Sequence, residues 1–139
     1  MGPSKNSTFK LLTRLQTALA AIPGVATCQI GLEATITPDD YPLIRIVPTR
    51  LRTTDIGARV IDVTVYYGAD LQAATEGLPA VYADLLAWES LIIDAVLFAV
   101  VRAGQAEGVY LRTRFVDTVT DEDRLPHYKL FASRFEVEG

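Results

Sequence analysis

The sequence predicts an α+β domain: a mostly antiparallel β-sheet, two main helices packed on it, and a closing β-hairpin at the C-terminus. Three observations carry this. Leu12, Leu15, Leu19 and Ile22 fall at spacings of three and four, the mark of one helical face. Residues 59–67 alternate, with Ile61, Val63, Val65 and Tyr67 pointing one way and Val60, Asp62, Thr64 and Tyr66 the other. That is the period of a half-buried strand. A long apolar stretch from Pro79 has helical spacing, and two more strand-like runs follow it. Helix, strands, helix, hairpin is an order that covers mainly one face of an antiparallel sheet.

Each element has its own local signal. Ser7 or Thr8 can cap a helix over 9–21, and Pro23-Gly24 stops it. Residues 1–7 read as a disordered tail. A weak first strand over 25–30 ends at Gly31, and 33–40 reads as a connecting loop. Residues 43–47 form a strand that Pro48 limits to a boundary or an edge. Residues 49–58 hold Arg50, Arg52, Asp55 and Gly57, with only Leu51 and Ile56 to bury. This predicts a mobile hairpin connection that becomes ordered on assembly. Gly68-Ala69-Asp70 reads as a turn, with Asp70 capping a short helical turn through Ala74.

Pro79 suits the first position of a helix that runs to about Ala103, with Gly104 beyond its end. At ~1.5 Å per residue it is about 35 Å long. Leu85, Ile92, Val96 and Ala99 make one apolar line with Trp88 beside it, while Asp84, Glu89 and Asp94 drift around the helix. A helix apolar on several sides needs more cover than its own sheet provides. The N-terminal helix and a partner subunit are the two candidates. Residues 109–117 form the next strand, 118–126 a polar turn, and 127–137 the last strand, with Phe131, Phe135 and Val137 on one side.

A chain of 139 residues, 50% hydrophobic and 22% charged, reads as a single globular domain over its whole length. The apolar runs are broken by Asp84, Glu89, Asp94 and Arg102, which argues against a membrane span. No signal-peptide segment follows Lys5. The single cysteine, Cys28, excludes an intramolecular disulfide framework and fits a reducing compartment. A net charge of −4 at pH 7 argues against sequence-specific or general duplex binding, which needs a basic face. It does not exclude a pore through which DNA passes, where attraction to phosphate would be a hindrance.

No catalytic signature is present. GxSxG, GxxxxGK[ST], GxGxxG, HExxH and CxxC are all missing. The one histidine, His127, has carboxylates nearby but no marked nucleophile, and reads as a turn histidine. Asp121, Glu122 and Asp123 lack the spacing and glycine of a calcium loop, so they read as a solvated turn. No cofactor or metal site is expected. Cys28 has no basic neighbour in sequence and reads as an inert thiol. Tyr66, Tyr67 and Tyr128 read as core and edge packing. The arginines Arg45, Arg50, Arg52 and Arg59 flank or occupy one hairpin loop. They serve either solubility or a fork-like contact to carboxylates on a neighbour. The acidic pairs Asp39-Asp40 and the Asp121 to Asp123 cluster can face them across a head-to-tail ring, where two different patches meet.

The order of elements resembles the tail terminator (minor tail protein U-like) family of long-tailed phages across nearly the whole chain. The resemblance is carried by Tyr41-Pro42-Leu43-Ile44-Arg45-Ile46, the alternating 59–67 strand, the long helix from Pro79, and the ending Phe135-Glu136-Val137-Glu138. No family motif is transferred to individual positions. The resemblance implies a non-enzymatic virion assembly protein that closes into a ring, a hexamer, on the last ring of the tail tube. It implies the major tail tube protein and a head–tail connector as partners, DNA passing through the ring, and a place in the virion tail after assembly in the host cytoplasm. The alternatives are another phage neck or head-closure component, and a small-molecule-binding α+β domain with a polar-lined pocket.

Overall fold

The computed structural model describes residues 7–32, 36–70, 77–120 and 128–139. The chain runs α1 (Ser7–Ala20), β1 (Thr27–Ile30), a 3-10 turn (Pro38–Asp40), β2 (Leu43–Thr53), β3 (Arg59–Asp70), α2 (Leu78–Glu107), β4 (Arg112–Val119) and β5 (Tyr128–Glu138). The five strands make one sheet in the order β1-β2-β3-β5-β4. Only β1 with β2 is parallel; the other three pairings are antiparallel. This is the α+β class the periodicities predict, with β4 and β5 as the closing strand pair.

The leucine face of α1 becomes core because Leu11, Leu12, Leu15 and Leu19 are all buried. They meet the inward face of α2, which supplies Val81, Leu85, Ile92, Val96, Ala99, Val100 and Ala103. Both helices press on one face of the sheet, where Ile44, Ile46, Ile61, Val63, Val65, Tyr67, Phe131, Phe135 and Val137 complete the same cluster. Each fully buried aliphatic side chain contributes roughly 1.5–3 kcal/mol. The opposite sheet face is covered at one end, where Tyr41, Leu43 and Leu130 pack with Ile36.

Several boundaries differ from the sequence expectation, each for a local reason. β2 does not stop at Pro48 but continues to Thr53, with a register shift between Pro48 and Arg50. Gly31 N–H donates to Ile46 O, so Ile46, and Pro48 two residues on, turn their backbone polar groups toward the β1 side. β1 ends at Ile30, opposite Ile46. The missing Pro48 N–H therefore faces no strand partner and costs no ladder bond. The connection expected over 49–58 shrinks accordingly to a turn. Ala58 O accepts from Thr54 N at 2.8 Å, and Thr54 Oγ1 accepts from Ala58 N at 3.0 Å.

Gly68 is not in a turn: it pairs with Leu43 on one side and Leu130 on the other. A Cβ there would lie 2.4 Å from Leu130 Cδ2 and 2.6 Å from Lys129 O. Gly68 is thus a close approach inside a strand, which the sequence pattern cannot separate from a turn glycine. The helical turn expected after Asp70 lies outside the described residues. α2 runs past Gly104 to Glu107, giving 30 residues and about 45 Å of length. Its stop is Gly108, at φ 68, the left-handed conformation that glycine adopts without a Cβ penalty. Ser7, assigned to the tail on sequence, already belongs to α1.

Candidate functional site

The four arginines proposed for partner contact occupy four different environments. Arg45 is fully buried, because β2 is covered there on both faces. Its Nη1 donates to Thr27 Oγ1 at 3.0 Å and to Ile44 O at 2.8 Å. Thr27 Oγ1 in turn donates to Asp40 O at 2.7 Å. Arg45 therefore ties β1, β2 and the Pro38–Asp40 turn together inside the subunit and is not available to a neighbour. This corrects its place among the interface candidates.

Arg52 is half-exposed and already engaged. Its Nη2 lies 3.3 Å from Asp62 Oδ1 and 3.3 Å from Glu136 Oε1. Glu136 Oε1 also accepts from Arg114 Nη2 at 2.9 Å. β2, β3, β5 and β4 thus contribute one charge each to a ladder on the sheet face turned away from the helices. Next to it, Arg134 holds Asp117 through two parallel hydrogen bonds, which pull the Asp117 carboxyl below its ordinary value and raise Arg134. Arg50 stands directly opposite Asp62 in the register and is exposed. Among the described residues neither Arg50 nor Arg59 has an ion pair. Arg59 is held by its backbone, which exchanges two 3.0 Å hydrogen bonds with Gly139. Asp121, Glu122, Asp123 and His127 lie outside the described residues.

One other polar cluster forms on the helix-facing side of the sheet. Tyr67 Oη lies 2.9 Å from Ser133 Oγ, which lies 2.8 Å from Thr118 Oγ1. Burial pushes the Tyr67 phenol up to about 12, so it stays protonated and neutral. Three hydroxyls can share hydrogens, but a serine nucleophile needs a base beside it, and a phenol held so high is a poor one. Burial also pushes the Cys28 thiol up to about 11, opposed by the charge of Arg45. Its Sγ donates to Gln16 O at 3.6 Å. Such a thiol is largely protonated at neutral pH and is a weak nucleophile. Among the described residues no group of three metal-ligating side chains comes together, and no described helix is long and apolar enough to cross a membrane.

The surface that stands out is the outward side of α2. Leu86 is 48% exposed, Leu91 46%, Phe98 62% and Val101 51%. An open, mostly apolar depression lies among Asp94, Ala95, Leu97, Phe98 and Val101. α1 and the sheet cover the inward line of Leu85, Ile92, Val96 and Ala99, as its spacing predicts, and leave this outer line in solvent. Arg102 lies over the Phe98 ring, 5.3 Å from its centroid. A second exposed apolar point is Ile56, 90% exposed at the β2–β3 turn. Sequence spacing shows α2 to be apolar on several sides but does not say which side α1 takes. Scanned against known protein families, the chain matches none, and a search of curated proteins finds no match.

Proposed function

We propose that this chain is a non-enzymatic assembly subunit: a phage tail terminator that closes into a ring, a hexamer on the family resemblance, at the end of the tail tube. In this reading it stops tube growth and presents a surface to the head connector. It is built in the host cytoplasm and ends in the virion tail. The observation that carries it is the uncovered apolar face of α2. A row of large apolar side chains on a helix that already buries its opposite side is the signature of a contact surface. The polar chemistry of the described residues supports the same reading. Its charges pair with one another across the sheet, and its buried hydroxyl and thiol groups are held protonated.

Sedimentation and electron microscopy test the proposal, on the protein alone and mixed with tubes of its cognate major tail protein. The expected result is rings, or tubes with capped ends that no longer lengthen. A protein that neither self-associates nor changes tube ends at any concentration would refute it.

A further inference from the structure

We propose that the outward face of α2 binds a second copy of this chain, antiparallel, across a two-fold axis at Phe98. The inference rests on reading this face as a self-association surface; a two-fold contact closes on itself and does not propagate around a ring, so this pair is a state of the free chain that opens when the face joins a ring. Leu91, Asp94, Phe98, Val101 and Gln105 follow one another at spacings of three and four. That repeat keeps a stripe facing a neighbouring helix over several turns. Leu91, Asp94, Phe98, Arg102 and Gln105 share an arc of about 80° at 3.6 residues per turn.

The charge pattern chooses the occupant and its direction. Asp94 and Arg102 lie four residues to either side of Phe98, each about 6 Å from it along the helix axis. Among the described residues neither has an ion-pair partner within its own chain. A two-fold axis at Phe98 sets Asp94 beside the partner's Arg102, and Arg102 beside the partner's Asp94, so one contact forms twice. A parallel copy would set Asp94 against the partner's Asp94 and Arg102 against the partner's Arg102, stacking like charges in an apolar seam. The same axis places Leu91 against the partner's Gln105. A bulky residue thus meets a flexible one there. Phe98 meets its own copy at the centre, flanked by the guanidinium that already lies over its ring. The contact spans 91–105, about 21 Å of helix, which is short for a permanent interface and predicts a reversible dimer.

The test is sedimentation velocity at low salt over about 1 µM to 1 mM protein, with three variants. The native chain is expected to pass from monomer to dimer within this range. Asp94→Arg and Arg102→Asp should each weaken the dimer at least about tenfold, because each sets like charges together twice. The double variant carrying both changes exchanges the charges and should return to within about threefold of native affinity. All the altered side chains are exposed, and circular dichroism melts check that each variant folds. If a single variant does not fold, Asp94→Asn and Arg102→Gln replace the reversals and should weaken the dimer less. A strict monomer throughout, or a double variant no better than the singles, overturns the proposal. A six-membered ring indifferent to all of these changes overturns it too and moves the ring contact off this face; a chain that neither dimerises nor acts on tail tubes removes both.

Discussion

Reversing Arg52 separates folding from assembly, and the charge ladder fixes the size of the effect. Arg52 Nη2 lies 3.3 Å from both Asp62 and Glu136, at the half-exposed level where one ion pair contributes about 0.2–1 kcal/mol. Arg52→Ala therefore loses about 0.5–1.5 kcal/mol, not the near-zero loss of a solvated loop residue. Arg52→Glu adds repulsion. At about 5 Å two unit charges interact by roughly 0.8 kcal/mol in bulk water and about 3 kcal/mol at an effective dielectric of 20. The new carboxylate can swing toward water, so the low end applies to each of the two contacts. The expected total loss is about 2–3 kcal/mol at low salt. Urea unfolding at about 10 mM and about 1 M ionic strength reads it directly. Screening lengths of ~30 Å and ~3 Å should bring Arg52→Glu down toward the loss of Arg52→Ala in high salt. A reversal variant as stable as native to within about 0.5 kcal/mol at low salt would show that the ladder contributes nothing.

Four further outcomes follow from single residues. Gly68→Ala should cost about 1–3 kcal/mol as an overpacked site, because its Cβ would fall 2.6 Å from Lys129 O; thermal melting reads it, and a neutral or stabilising result would contradict the close approach. Ile92→Ala, at a fully buried position between both helices and the sheet, should cost about 2–5 kcal/mol in the same assay. Cys28 rises from 9.0 to about 11 and Tyr67 from 10.0 to about 12, so the folded state holds these protons more tightly than the unfolded chain does. Their contribution is full below pH 9.0 and is lost as pH rises to about 12. Cys28→Ser with Tyr67→Phe should flatten that alkaline slope in urea titrations. Arg50→Glu should move stability by less than about 0.5 kcal/mol and reduce ring formation or tube capping; unchanged assembly would leave Arg50 as solvated surface.

The class of fold was legible because it rests on periodicity. The leucine spacing of α1 and the inward line of α2 state which side is buried, and the structure buries those sides; β3 departs from its half-buried pattern, since Val60, Thr64 and Tyr66 on its other side are buried as well. The boundaries were less legible because they rest on single residues whose meaning depends on a neighbouring strand. Pro48 reads as a strand end until β1 is known to stop at Ile30. Gly68 and Gly104 read as punctuation until the chain is seen passing within van der Waals distance of each. A Cβ on Gly104 would lie 2.8 Å from Val109 O, and Val109 N–H bonds to Gly104 O. The glycine is where the chain turns back against its own helix. The pairings of Arg45 and Arg52 were invisible for the same reason. The Arg52 ladder joins residues from four strands and depends on sheet order, which alternation alone does not give.

These placements move the weight of the assembly reading from the arginines to α2. An arginine that already bridges Asp62 and Glu136 offers a neighbour little, because a new carboxylate must first displace two existing ones. Arg45 is spent inside the subunit. Arg50 and Arg59 remain, near the β2–β3 turn where Ile56 is also exposed. Among the described residues the outer side of α2 has no ion pair to displace. Leu91, Phe98 and Val101 are exposed, so covering them gains apolar burial at about 25 cal/mol per Å². If one face self-associates and the other binds something different, the two should respond oppositely to salt. The apolar α2 face should hold or strengthen as screening rises, apart from its Asp94 and Arg102 pairs, while any contact through Arg50 should fade. Measuring self-association and tube capping across the same salt series would assign each activity to its own face. Parallel loss of both in an Asp94→Asn, Arg102→Gln variant, whose α2 face has no charge pair left to screen, would place them on one.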